Sequence, residues 1–197
     1  MGIYRNKTAR FKQSAERLLF AKKDDHLLAP IDICLFEQTA SGATFINSNT
    51  PGEFIGTEVR ATGNVKIGVI SEYSVPSVIS INPIVKITPD PLLSLSPTLQ
   101  SFNPIARSQV RIGDQVVFSI DGVRVIGEVQ NHIPTQLPFI QPSFTVDAYE
   151  VKFKQRLIDI DSVHGARVFY PSTGQILGML IGSQGTNAIV YPADLIN

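Results

Sequence analysis

From Pro30 to its end the chain is cut by turn residues into short runs of β-branched and alternating apolar residues, and no βα alternation interrupts them. That pattern excludes a doubly wound sheet and points to an all-β barrel or sandwich. Thirteen prolines and fourteen glycines supply the punctuation. The expected strands of the first half are Ile31–Phe36, Ala43–Asn47, Thr57–Ala61, Val65–Glu72 and Pro83–Ile87. Turn clusters such as Thr39–Gly42 and Asn47–Gly52 separate them. Those of the second half are Val110–Ile112, Gln115–Ile120, Val123–Gln130, Phe144–Phe153, Ala166–Tyr170, Gln175–Ile181 and Ala188–Tyr191. The pair Asp121–Gly122 is a strong two-residue hairpin signal. Residues 192–197 read as a closing helical turn.

The first 28 residues differ in kind. Phe11, Ala15, Leu18 and Leu19 fall at helical spacing, no proline or glycine interrupts them, and Thr8 could cap the start. A helix over residues 8–23 is expected. Seven basic residues against Glu16 alone give residues 1–23 a charge of +6, although the chain as a whole is neutral. A solvated basic helix on an acidic body explains this, and so would an acidic peptide partner. Nucleic acid would call for aromatic platforms or basic residues across the fold, and neither is seen. A Pro- and Ser-rich stretch, residues 89–108, reads as a connection. The expected organisation is therefore a basic helical segment, 1–28, a short β lobe with its connection, 29–104, and a β barrel, 105–197.

At 43% apolar and 17% charged, the composition supports a packed core rather than disorder. The single cysteine, Cys34, sits in the apolar run 31–36 and reads as an inert core thiol; no intramolecular disulfide can form. One cysteine, an opening without an apolar leader and no long apolar run together lead to the expectation of a cytoplasmic protein with no membrane partner.

Two segments of the second half carry a family resemblance. Gly113–Val129 has the rhythm of the hairpin that opens the C-terminal barrel of trypsin-like serine proteases. Val163-His164-Gly165-Ala166-Arg167-Val168-Phe169, followed by Ser172–Ser183, is similar to that family's nucleophile turn and the strands after it, and Ala188–Pro192 resembles its final strand. The resemblance covers residues 105–197 and implies a mainly β fold: a trypsin-like C-terminal β-barrel with a short, truncated N-terminal lobe, preceded here by the basic helix.

The catalytic letters differ. In the ungapped register the nucleophilic serine becomes His164, the aspartate before it Val163 and the specificity-pocket floor Ile158. Acyl transfer needs a hydroxyl on a tight turn beside an oriented imidazole and oxyanion donors. No segment of the first half resembles the one that brings the family's histidine. The expectation is a pseudoprotease with no catalytic residue, no metal and no cofactor. A rival keeps Ser162 as nucleophile with His132 as base and Asp121 or Asp159 as its orienter, which makes the chain an atypical serine hydrolase. A metal set of His164, Asp159 and Asp161 is a further alternative to a plain solvent face. A structural or assembly scaffold is the third class.

The family grips substrates by adding an extended peptide to an edge strand, which needs no triad. Carried onto this chain, that edge is Ile181-Gly182-Ser183, with Ile158, His164 and Arg167 as further peptide-binding residues; Phe139, Phe144 and Tyr149 are groove candidates that read more readily as core residues. The resemblance extends to the degenerate, peptide-binding proteins of crocagin-type ribosomal peptide biosynthesis. It implies a non-catalytic protein that holds a precursor peptide for modification. Exposed strand edges also make a homodimer compatible with this reading.

Overall fold

The fold is described from a computed structural model of the chain. It describes residues 8–11, 14–30, 37–39, 42–44, 55–73, 84–94, 99, 101–120, 123–136, 145–155 and 165–196. Two compact units result: residues 1–99 with 139–142, and residues 100–138 with 143–197.

The first unit holds strands β1 (Thr8–Arg10), β2 (Ala21–Lys23), β3 (His26–Pro30), β4 (Glu37–Thr39), β5 (Gly42–Thr44), β6 (Glu58–Ala61), β7 (Val65–Tyr73) and β8 (Ile84–Pro89). Among the described residues six of them form one sheet in the order β1-β6-β7-β8-β3-β2, and β4 pairs with β5. Only β1 with β6 runs parallel among these pairs. Val59, Ala61, Ile67, Ile70, Ile84, Val85 and Ile87 are buried in this sheet together with Leu27 and Leu28, and the consecutive pairs Leu27-Leu28 and Ile84-Val85 bury apolar side chains on both of its faces.

The expected N-terminal helix is not formed. One helical turn, α1 (Ala15–Leu18), stands between two strands. The reason is that Leu18, Leu19, Phe20 and Ala21 are all buried in succession, which no single helical face can do. The backbone finds sheet partners instead: Ala21–Lys23 on β3, and Thr8–Arg10 on β6. Asp24 and Asp25 make the two-residue turn between β2 and β3, with Asp24 at φ 52°. Aspartate tolerates that left-handed conformation better than most residues. Tertiary pairing thus overrides a helical propensity that is marginal in a short isolated segment.

The second unit begins with Pro104 bridged to Ile176 and Ile105 donating to the Ile176 carbonyl, so the end of the connection is built into the unit. Its strands are β9 (Gln115–Ile120), β10 (Val123–Gln136), β11 (Thr145–Phe153), β12 (Arg167–Phe169), β13 (Ile176–Gln184) and β14 (Asn187–Pro192). They close into an antiparallel barrel ordered β10-β11-β14-β13-β12-β9. The fourth strand, β12, returns beside the first, β9, which is a Greek key. A mainly β chain with a closed C-terminal barrel is what the sequence and its resemblance implied.

Alternation along the strands sends Val116, Phe118, Val125, Val129, Tyr149, Val151, Phe153, Val168, Leu177, Leu180, Ala188 and Val190 into one core. Phe118 and Phe153 meet edge to face, centroids 4.8 Å apart. Ile120 pairs with Val123 across the expected hairpin, whose Asp121 and Gly122 lie outside the described residues. Two expectations need correcting. Residues 110–112 are not a strand: they follow the 3-10 turn Arg107–Gln109 and lead into a turn where Arg111 N–H is held by Asp114 Oδ2 at 2.9 Å. And β10 runs on past Gln130 to Gln136, through a bulge between Val129 and Asn131. The closing turn exists as the 3-10 helix Ala193–Leu195.

Candidate functional site

β13 is the strand on which the peptide-binding expectation rests, and its two halves are partnered differently. On one flank β14 accompanies it as far as the Gln184–Asn187 pair. On the other, β12 covers only Ile176–Met179, and two more bonds reach Leu180: its N–H to the Ala166 carbonyl at 2.9 Å, and Gly165 N–H to its carbonyl at 2.7 Å. Beyond Leu180 that flank has no backbone partner among the described residues. Closing a barrel removes edges. Among the described residues one short edge remains here, because β12 is three residues long and β13 is nine.

The direction of the backbone groups on this edge follows from printed bonds and the antiparallel alternation. Phe153 N–H donates to the Thr186 carbonyl, and Val151 pairs with Ala188 two residues on. The polar groups of Ala188 therefore face β11, and the Ser183–Ala188 pair is the kind without mutual bonds. The N–H and C=O of Ser183 accordingly point to the free flank.

A bulge separates Leu180, opposite Val190, from Gly182, opposite Ile189, and leaves Ile181 as the extra residue. The Ile181 side chain is buried, so its contribution to any edge is through the backbone. Gly182 and Ser183 are half-buried. Gly182 differs from the other glycine of the strand. A Cβ at Gly178 would fall 1.8 Å from the Tyr191 carbonyl oxygen, so close packing explains that glycine. A Cβ at Gly182 would meet nothing nearer than the Ile189 Cβ, at 4.0 Å, and its φ is not left-handed. Neither packing nor conformation within the described residues demands glycine there.

Arg167, on β12 opposite Met179, belongs to the same region of the barrel. Its guanidinium carbon lies 5.6 Å from the Phe169 ring centroid. Ile158 and His164 lie outside the described residues, as do Ser162, Asp159, Asp161, Asp121, Phe139, Phe144 and Cys34. Of the hydrolase constellation only His132 is described. It sits on β10 with its ring 5.1 Å from that of Tyr149, at 58°. No cluster of three metal-ligating side chains occurs among the described residues. No helix among them is long and apolar enough to cross a membrane.

Tyr149 takes the core alternative. Its side chain is fully buried in the barrel core and lines no groove. Its hydroxyl is sealed from solvent without a hydrogen bond of sound geometry among the described residues. Burial pushes this phenol up to about 12, against a smaller opposing pull from the Arg107 charge, whose carbon is 5.2 Å from the ring centroid. Burial raises Tyr170 and Tyr191 also; Tyr170 further donates to Asp114 Oδ2 at 2.7 Å, which favours its neutral form.

Sequence reasoning missed the clamp at this end of the barrel. Arg107 Nη1 binds Asp147 Oδ2 at 2.6 Å, its Nη2 binds the Asp147 carbonyl, and its backbone N–H binds Asp194 Oδ2 at 3.1 Å. It ties the 3-10 turns at both ends of the unit to β11. Nothing local marks those partners, which lie 40 and 87 residues away.

No protein-family model matches the sequence, and no curated protein matches it. Among solved structures the chain is similar to the chymotrypsin of Cellulomonas bogoriensis, with a TM-score of 0.47 at 9% identity, over 89% of this chain and 83% of that one.

Proposed function

We propose that this chain is a peptide-binding protein that receives an extended segment by β-addition on the free flank of β13 and leaves it uncleaved. The observation that carries the reading is the edge at residues 181–184: no described backbone partner beyond Leu180, the polar groups of Ser183 turned outward, and room at Gly182 that nothing in the described fold uses. Glycine at an edge lets another backbone approach closely. Main-chain pairing gives affinity, and alternate side chains of the guest give selectivity. On this reading Ile181 and Ser183 contribute backbone and Gly182 contributes space. A precursor peptide awaiting modification suits such a holder, because recognition through the main chain leaves its side chains accessible to another enzyme.

The test is calorimetric titration with extended peptides, including those encoded beside its gene, with mass spectrometry of the same mixture. The expected result is micromolar binding with the peptide intact. Ser183→Pro removes the outward N–H without disturbing the β14 pairing, and the loss of one hydrogen bond of ~1 kcal/mol should weaken binding about five- to tenfold. Cleavage would replace this reading by the hydrolase, with Ser162 to mutate next. No binding would leave the scaffold.

A further inference from the structure

The face of β9, β10 and β12 that is turned away from the barrel core brings two arginines together, Arg124 exposed and Arg167 half-buried. Phe118, Val125 and Val168 point into the core, so their neighbours Ser119, Arg124 and Arg167 point outward. Arg124 pairs directly with Ser119. On the other side of β9, Val168 pairs with Phe118 and Phe169 with Val117, and one more step of that register sets Arg167 beside Ser119. Arg124, Ser119 and Arg167 therefore form a row across three adjacent strands. In this register two arginines flank one serine.

Both cations also converge on one ring. The Arg124 guanidinium carbon is 5.8 Å from the Phe169 centroid and that of Arg167 is 5.6 Å. Each contact is in the range of a cation–π attraction. Such contacts hold the two heads near each other, although like charges repel. No carboxylate among the described residues pairs with Arg124, and its side chain is exposed. Arginine presents a planar fork of donors that suits oxyanions, and Ser119 adds a donor between the two.

We propose that this row binds a carboxylate, supplied by an acidic residue of the same peptide that β13 receives; the inference rests on the β-addition reading. The geometry links the two places. A peptide on the free flank of β13 continues the line of β12, because β12 and the residues just before it occupy that flank up to Leu180. Arg167 lies opposite Met179, three residues before Gly182. At ~3.3 Å per residue that is about 10 Å, a gap that an arginine and a glutamate side chain span together. One end of the guest is thereby directed toward cations, which fixes its polarity along β13.

The probes are a neutral acetylated peptide of alternating threonine and valine and the same peptide extended by glutamates at either end, titrated at low and high salt. One of the two extended peptides should bind about tenfold tighter than the neutral one at low salt. High salt and Arg124→Gln should each abolish the gain, while the neutral peptide binds Arg124→Gln as it binds the parent. Arg124→Lys should restore part of the gain, and thermal melts should show both variants folded. Equal affinity for neutral and acidic peptides would remove this site and leave β-addition standing. If no peptide bound, both would fall. Inorganic phosphate that binds in an Arg124-dependent way, with glutamates adding nothing, would reassign the row to a phosphoryl group.

Discussion

The two halves of β13 share one strand, one neighbour in β14 and one glycine each, yet they are built for different purposes. Residues 176–180 are clasped on both flanks, and their glycine, Gly178, lies against the Tyr191 carbonyl. Among the described residues, residues 181–184 are clasped on one flank, and a Cβ on their glycine, Gly182, would meet nothing nearer than 4.0 Å. A residue type alone therefore says little; what surrounds its missing side chain separates a packing glycine from one that leaves room. The barrel needs the first half to stay closed. The second half offers pairing capacity that the described chain does not use itself.

Substitution at Gly178 should show the largest effect. A methyl there would displace backbone rather than a flexible side chain, and Gly178→Ala should cost at least ~3 kcal/mol, at the upper end of overpacking. Denaturant melts of the purified variant read this directly. A cost below ~1 kcal/mol would break the contrast between the halves.

Alkaline titration should sharpen the same contrast from the core side. Tyr149 and Tyr191 lie on the strands behind β13, with Tyr191 opposite Met179. Burial raises the folded pKa of Tyr149 to about 12 and raises those of Tyr170 and Tyr191 as well. Each contributes stability that is fully present below the unfolded value near 10 and is lost as the pH rises through the folded value. Phenolate absorbance should therefore lag for these tyrosines and appear together with loss of the barrel. Smooth ionisation of all five tyrosines near pH 10, with the fold intact, would contradict their burial.

Ser183→Pro should change stability by less than ~1 kcal/mol, since proline is tolerated where an edge N–H faces outward, while peptide affinity falls. Gly182→Ala should have the smallest effect on the fold: within ~0.5 kcal/mol, or slightly stabilising through the unfolded chain. Equal losses at Gly178 and Gly182 would show that the open space at Gly182 is filled.

Much of the barrel was legible in the sequence because its signals are local. Alternation gave β9, β11 and β14 within a residue or so of their ends, and Asp121–Gly122 announced a hairpin whose flanking residues do pair. That hairpin even implies Arg124 opposite Ser119. The N-terminal segment misled for the opposite reason. Its apolar spacing fits a helix, but four successive buried residues and two distant strands decided its conformation. The sequence reading expected a peptide edge at Ile181, Gly182 and Ser183; the buried side chain of Ile181 and the outward backbone of Ser183 depend on a bulge that no letter announces. For Tyr149 the sequence left core and groove both open, because alternation tells which residues share a face, not which face is the core.

The sequence by itself determined that this chain would be mainly β, where many of its turns fall and which residues alternate, because periodicity and turn chemistry act between neighbours in the chain. The tertiary structure alone decided that β12 would stop short of β13, that Arg167 would stand beside Ser119 and that Gly182 would have room beside it among the described residues. The place of Arg167 depends on the register between strands about 50 residues apart, and the other two on where β12 ends and where β13 bulges, all set by the filling of a shared core and not by any local signal.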